Sequence, residues 1–234
     1  MDKTEQLGRL YHQLNIGDEI QRNNACNEIL TLISQTIDPV EKDRLRQSII
    51  YYLIDLGRVY DAEFIIEALQ SSTNEDMQMA SYFHRIEFLK KFVNDPVQIE
   101  GAIKETISFA EKTGNEAGRT DGFMENGKFL ARQGKEREAI NFFVEVANYA
   151  ENNHNEKLLA VSKYCLGFCL YHLGHLSMAN SFLRESTEIA FRERNHILAQ
   201  TSETLRAIVL MKQGKHEEST VIFQQWENNF GLIL

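Results

Sequence analysis

A glycine returns at a fixed interval along this chain, and that interval restricts the possible folds more than any composition does. Gly57, Gly134, Gly174 and Gly214 each stand five positions ahead of a small residue: Ala62, Ala139, Ala179 and Ser219. Counted from Gly17, the steps between glycines are 40, 77, 40 and 40, so the long step spans two units with one glycine missing. Ala102 fills the gap, with a step of 40 from Ala62 and of 37 to Ala139. An independent ladder of asparagines, Asn74, Asn115, Asn155 and Asn195, has steps of 41, 40 and 40. Self-similarity at such a period means stacked supersecondary units, none of which buries its apolar face alone.

Each marker has a backbone reason. Glycine suits the end of a helix, where the chain turns through a left-handed conformation that a Cβ disfavours. The small residue five positions on lets two helices approach closely. Asparagine tolerates the left-handed region best among the other residues, so the ladder predicts that it ends the second helix of each unit. Periodicity agrees: Ile140, Phe143, Val146, Ala147 and Ala150 follow three-and-four spacing, as do Phe64, Ile65, Ala68 and Leu69. Asp38-Pro39 and Asp95-Pro96 mark helix starts, the latter where the glycine is missing. The step from alanine to asparagine is 12 and 13 in repeats two and three but 16 in repeats four and five, which predicts longer second helices in the later repeats.

The prediction is an all-α, right-handed superhelical solenoid of about six antiparallel helix pairs, a single repeat domain over 1–234. Residues 1–38 form a weak first repeat, with Arg22 in the small-residue position, followed by 39–74, 75–115, 116–155, 156–195 and 196–234.

Composition excludes several classes. Only two prolines interrupt 234 residues, and a net charge of -9 argues against a protein that mainly grips phosphate backbone. No apolar run approaches a membrane span of roughly 20 residues, and the N-terminus lacks a secretory core. Three cysteines fit a reducing compartment, so a cytoplasmic protein is expected.

The markers resemble tetratricopeptide repeats. Gly127, Gly134, Ala139 and Phe143 match that family's small-and-large pattern; Gly167, Gly174, Ala179 and Leu183 repeat it, as do Ala207, Gly214, Ser219 and Phe223. Units of this length are similar to the longer repeats of Gram-positive intracellular peptide-pheromone receptors. Those regulators carry an N-terminal effector module, and here the repeats begin almost at Met1, so neither a DNA-binding nor a response-regulator module is expected within this sequence.

The resemblance implies that first helices line an inner, ligand-binding face. Mapped onto this chain it nominates Arg44, Gln47, Tyr51 and Asp55; His84, Glu87 and Lys91; Met124, Lys128 and Arg132; Tyr164, Phe168, Tyr171 and His172; and Thr204, Ile208 and Met211. Tyr and Phe supply contact area, while Arg, Gln and Lys anchor peptide amides and carboxylates. The same aromatic residues also suit packing between helices. The expected ligand is a short peptide or an extended protein segment, with ligand binding closing the superhelix. The alternative is a constitutive adaptor without a small ligand.

Chemistry-bearing constellations are sparse. Cys165, Cys169 and His172 share one helical face, but a zinc site wants four ligands and helical thiols are usually core. There is no phosphate-binding loop and no nucleophile elbow, and Glu217-Glu218 suits a solvated helix start. No enzyme activity, cofactor or metal is expected. Gly114, Gly118, Gly122 and Gly127 crowd the start of repeat four, which reads equally as a weakened hinge helix or as close packing. The apolar end, with Trp226, Phe230, Leu232 and Ile233, predicts a covered surface and a homodimer.

Overall fold

The structure, a computed structural model, describes residues 3–230, with side chains described for 4–224. Among the described residues it is helical, without strands, in consecutive antiparallel pairs. The pairs are α1 (Lys3–Ile16) with α2 (Glu19–Gln35), α3 (Pro39–Asp55) with α4 (Val59–Gln70), and α5 (Glu75–Phe88) with α6 (Pro96–Thr113). They continue as α7 (Glu116–Arg132) with α8 (Glu136–Asn152), α9 (Glu156–His172) with α10 (Leu176–Arg192), and α11 (His196–Lys212) with α12 (His216–Phe230). The chain divides into two compact units, residues 1–119 and 120–234, and the division falls inside α7.

The glycine ladder does what its spacing implies. Gly57, Gly134, Gly174 and Gly214 all lie at φ between 72° and 79°. Each belongs to a two-bond helix stop: at the end of α7, Lys135 N–H donates to Leu130 O at 3.0 Å and Gly134 N–H to Ala131 O at 3.1 Å. Gly17 differs. Its φ is not positive, and a Cβ there would collide with the Gln13 carbonyl oxygen. The small residues are closed in: Ala62, Ala139 and Ala179 are fully buried, and buried Ser219 donates its hydroxyl to Ala207 O at 3.0 Å. In the first repeat the corresponding Arg22 instead pairs with Asp55 at 2.6 Å.

The asparagine ladder works otherwise than expected. Asn155 lies at φ -90° and Asn195 at φ -89°, and the left-handed positions fall one residue earlier, on His154 and Arg194. Asn115, Asn155 and Asn195 each serve two helices, whereas the Asn74 N–H donates to the Ser72 hydroxyl. Asn155 N–H closes α8 by donating to Ala150 O at 2.8 Å, while its side-chain oxygen accepts from Leu158 N–H and opens α9. Asn74, Asn115 and Asn195 cap α5, α7 and α11 in the same manner. The short side chain that tolerates the left-handed region also reaches the exposed N–H groups of a helix start, and here the second property prevails.

The predicted helix lengths hold for repeat two and fail for repeat three. α4 has 12 residues against 17 in α8 and α10, but α6 has 18. The Asp95-Pro96 start adds residues ahead of Ala102: the Asp95 side chain accepts from Val97 N–H at 3.0 Å, and proline at the first turn forfeits no helical bond. Before it, a π-helical turn (Leu89–Val93) ends on left-handed Asn94, which stands in for the missing glycine.

The core follows from the periodicity. In the first unit Leu10, Leu14, Ile29, Ile49, Ile65 and Ile86 are buried, and each such side chain is worth about 1.5–3 kcal/mol against exposure. In the second unit Met124 and Leu130 of α7 pack with Phe143, Val146 and Ala150 of α8 and with Leu159, Leu166 and Cys169 of α9.

Candidate ligand-binding site

In the second unit, packing between helix backbones creates the site. At Gly127 a Cβ would lie 2.6 Å from Phe143 Cε1, so only glycine admits that ring against α7. One repeat on, Leu183 takes the same place against Gly167, where a Cβ would meet its Cγ at 2.7 Å. With Phe143 drawn in as a wall, a cavity of about 310 Å³ remains between α7 and α9. Lys128, Ala131 and Arg132 of α7 line it, with Phe143 of α8 and Tyr164, Cys165 and Phe168 of α9.

Four of the residues nominated from sequence, Lys128, Arg132, Tyr164 and Phe168, thus meet in one place. Ala131, Phe143 and Cys165 were missed as lining. Phe143 and Cys165 read from sequence as core, and both are in fact buried; each shows the cavity only one edge. Nothing in local periodicity distinguishes such an edge.

The electrostatics are uneven. Lys128 Nζ donates to Glu125 Oε1 at 2.8 Å, whereas exposed Arg132 makes no ion pair among the described residues. Burial pushes the Cys165 thiol up to about 11 against a slight opposing pull from Lys128, and burial pushes Cys169 up to about 12. Both thiols are therefore protonated at neutral pH, which suits a wall and not a nucleophile. Burial also raises the Tyr164 phenol. Among the described residues no group of three His, Cys, Asp or Glu side chains is placed to hold a metal ion. His172 instead lies against Phe168, with ring centroids 4.4 Å apart.

Beyond the cavity the nominated residues continue along α9 and onto α11. The Tyr171 and His172 rings are 5.2 Å apart and meet edge-on, and Lys212 Nζ stands 4.4 Å over the Tyr171 ring. Ile208 and Met211 are exposed on α11, as is Thr204, whose hydroxyl donates to Gln200 O. Met124 is the exception: it is buried in the core and offers no surface to a ligand.

In the first unit Arg44, Gln47, Tyr51 and Asp55 are all exposed on α3, and the Tyr51 ring meets Tyr52 edge-on. Asp55 and Lys91 come together but are both engaged: Lys91 Nζ donates to the Asp55 backbone carbonyl at 2.9 Å, and the Asp55 carboxylate pairs with Arg22. Hydrogen bonding to Arg22 holds the Asp55 carboxyl below its usual range. Burial lowers the His84 imidazole pKa despite nearby Glu87, and Glu87 bonds Lys90 at 2.8 Å. Trp226, Phe230, Leu232 and Ile233 lie outside the residues whose side chains are described. No described helix is long and apolar enough to cross a membrane.

No protein-family model matches the chain, and no curated protein matches it. Solved structures do. A signal-transduction ATPase with a tetratricopeptide repeat sensor from Pyrococcus horikoshii superposes with a TM-score of 0.76 at 11% identity, over 97% of this chain and 36% of that one. The apo form of RapI gives 0.76 at 11% identity, over 96% of this chain and 83% of that one. A Rap protein complexed with Competence and Sporulation Factor gives 0.69 at 14%, over 94% and 62%. The chain thus spans about a third of the first and most of the second. With helices paired and turned as described, these superpositions show that the chain has the fold of a tetratricopeptide-like helical repeat protein.

Proposed function

We propose that this protein binds a peptide or an extended protein segment on the exposed faces of its first helices, with the cavity between α7 and α9 as the principal anchor point. The observation that carries this reading is the meeting of Lys128, Arg132, Tyr164 and Phe168 around one cavity. It joins apolar walls for a side chain with a cation free to meet a peptide's polar groups. One structural neighbour is described as complexed with Competence and Sporulation Factor, which is consistent with such a use of the fold. The module acts as a regulator when the ligand favours a closed form of the repeats. Moving that equilibrium from 1:99 to 99:1 takes roughly 5.5 kcal/mol of differential affinity. It works in the cytoplasm, without catalysis, cofactor, membrane or direct nucleic-acid contact. Its apolar C-terminal residues pair two copies into a homodimer.

Native mass spectrometry of the protein purified from its own cells tests the reading. An adduct of the mass of a short peptide is expected. A stoichiometric folded partner without any small adduct would replace it with a constitutive adaptor. Replacing Phe230 and Leu232 by Asp is expected to halve the native mass, and an unchanged mass would count against the dimer.

A further inference from the structure

The C-terminal ends of α7, α9 and α11 carry one basic or ionisable side chain in register: Arg132, His172 and Lys212, each one repeat from the next. Acids are scarce on these three helices themselves, although Glu136, which opens α8, lies near enough to Cys169 to raise its thiol. No acidic residue follows Glu125 on α7 or Glu156 on α9. The one acid of α11, Glu203, is buried and bound to Arg206 at 3.1 Å. In a chain of net charge -9, the ends of these three helices are poor in acids of their own. They are also continuous with the cavity: Phe168 lines the cavity and touches His172, His172 touches Tyr171, and Tyr171 lies under Lys212.

We infer that the second unit binds an acidic extended segment with one bulky apolar anchor. The anchor enters the cavity between Phe168 and Lys128, and carboxylates on the flanking residues meet Arg132 on one side and Lys212 on the other. This rests on the reading of the face as peptide-binding. The cavity volume decides the anchor: about 310 Å³ lies at the small end of ligand pockets, which run from about 300 to 1,000 Å³. The space therefore suits one large side chain and leaves the rest of the segment on the surface. Charge complementarity decides the flanks. Arg132 and Lys212 have no carboxylate partner among the described residues, and a basic segment would meet like charges on both sides of its anchor. Lys128 is held by Glu125, so it sets the rim without demanding an anion.

Selection of a random eight-residue displayed peptide library against the full-length protein tests the inference. Enrichment of peptides with an aromatic or large aliphatic residue between acidic ones is expected. An acidic synthetic peptide with a central Phe should then bind roughly fivefold more weakly to Arg132→Gln or Lys212→Gln, and its affinity should fall as salt rises. Replacing that Phe by Gly should abolish binding. Arg132→Lys is expected to retain most of the affinity, which separates a charge effect from a packing defect. Enrichment of neutral or basic peptides would overturn the inference while leaving peptide binding standing. No enrichment of any peptide would overturn both.

Discussion

At the scale of single residues, glycines that look alike in the sequence have opposite energetic meaning. Gly127 lies against Phe143 and Gly118 against Met79, where a Cβ would come within 2.8 Å of Sδ, so close packing explains two of the glycines that crowd α7. Gly127→Ala gains about 1 kcal/mol of helix propensity but forces the ring out of its place. A net loss of about 1–2 kcal/mol is expected in urea unfolding, together with a distorted cavity. Gly101, inside α6, has no neighbour within 4 Å of its would-be Cβ. Gly101→Ala should therefore stabilise by about 0.5–1 kcal/mol in the same measurement. The thiols give a pH signature. Cys165 and Cys169 titrate at about 11 and 12 when folded, against an ordinary value of 9.0. The unfolded chain therefore releases protons first, and the stability present below pH 9 is lost as pH rises towards 11. A urea series from pH 8 upward should show that decline, and the double variant Cys165→Ala, Cys169→Ala should flatten it.

At the scale of the helix, the turns from α8 to α9 and from α10 to α11 each store one strained residue and one shared cap. His154 and Arg194 hold φ of 53° and 57° at the stops of α8 and α10, where Gly114 does the same work for α6 at 67°. The left-handed region costs a non-glycine residue roughly 1–2 kcal/mol, less the entropy that glycine adds to the unfolded chain. His154→Gly and Arg194→Gly should each raise stability by about 0.5–1 kcal/mol in thermal unfolding, and a lowered midpoint would contradict this account of the turn. The following asparagine closes one helix with its N–H and opens the next with its side chain. Asn155→Ala removes only the second function and should destabilise by about 1 kcal/mol, while Asn155→Asp should come close to wild type.

At the scale of the whole molecule, stability in a stacked array is a sum of local terms, since each helix packs chiefly on its chain neighbours. Native-state hydrogen exchange should therefore show Gly127→Ala weakening protection in α7 to α9 while leaving α2 to α4 unchanged. The same experiment addresses the hinge reading of α7. Its N-terminal cap is made, with Gly118 N–H donating to Asn115 Oδ1 at 2.8 Å, and two of its glycines are in contact. Protection across residues 117–127 should match that of α8 and α9. Rapid exchange confined to that stretch would restore the hinge.

The repeat interval, the glycine stops and the small residues behind them were legible in the sequence, because each answers to a local backbone requirement that recurs at every turn. Lys128, Arg132, Tyr164 and Phe168 were nominated through the resemblance to tetratricopeptide repeats, and the structure brings all four to the lining of one cavity. Tertiary structure alone decided the rest. Asn155 became a cap because the chain's path into α9 set its N–H groups within reach, and Asn94 replaced the missing glycine because a π-helical turn preceded it. Met124 went into the core and Phe143 became a wall of the cavity because Gly127 let the ring approach. Whether a half-apolar face is core or site depends on the distance between two backbones, and no sequence period encodes that distance.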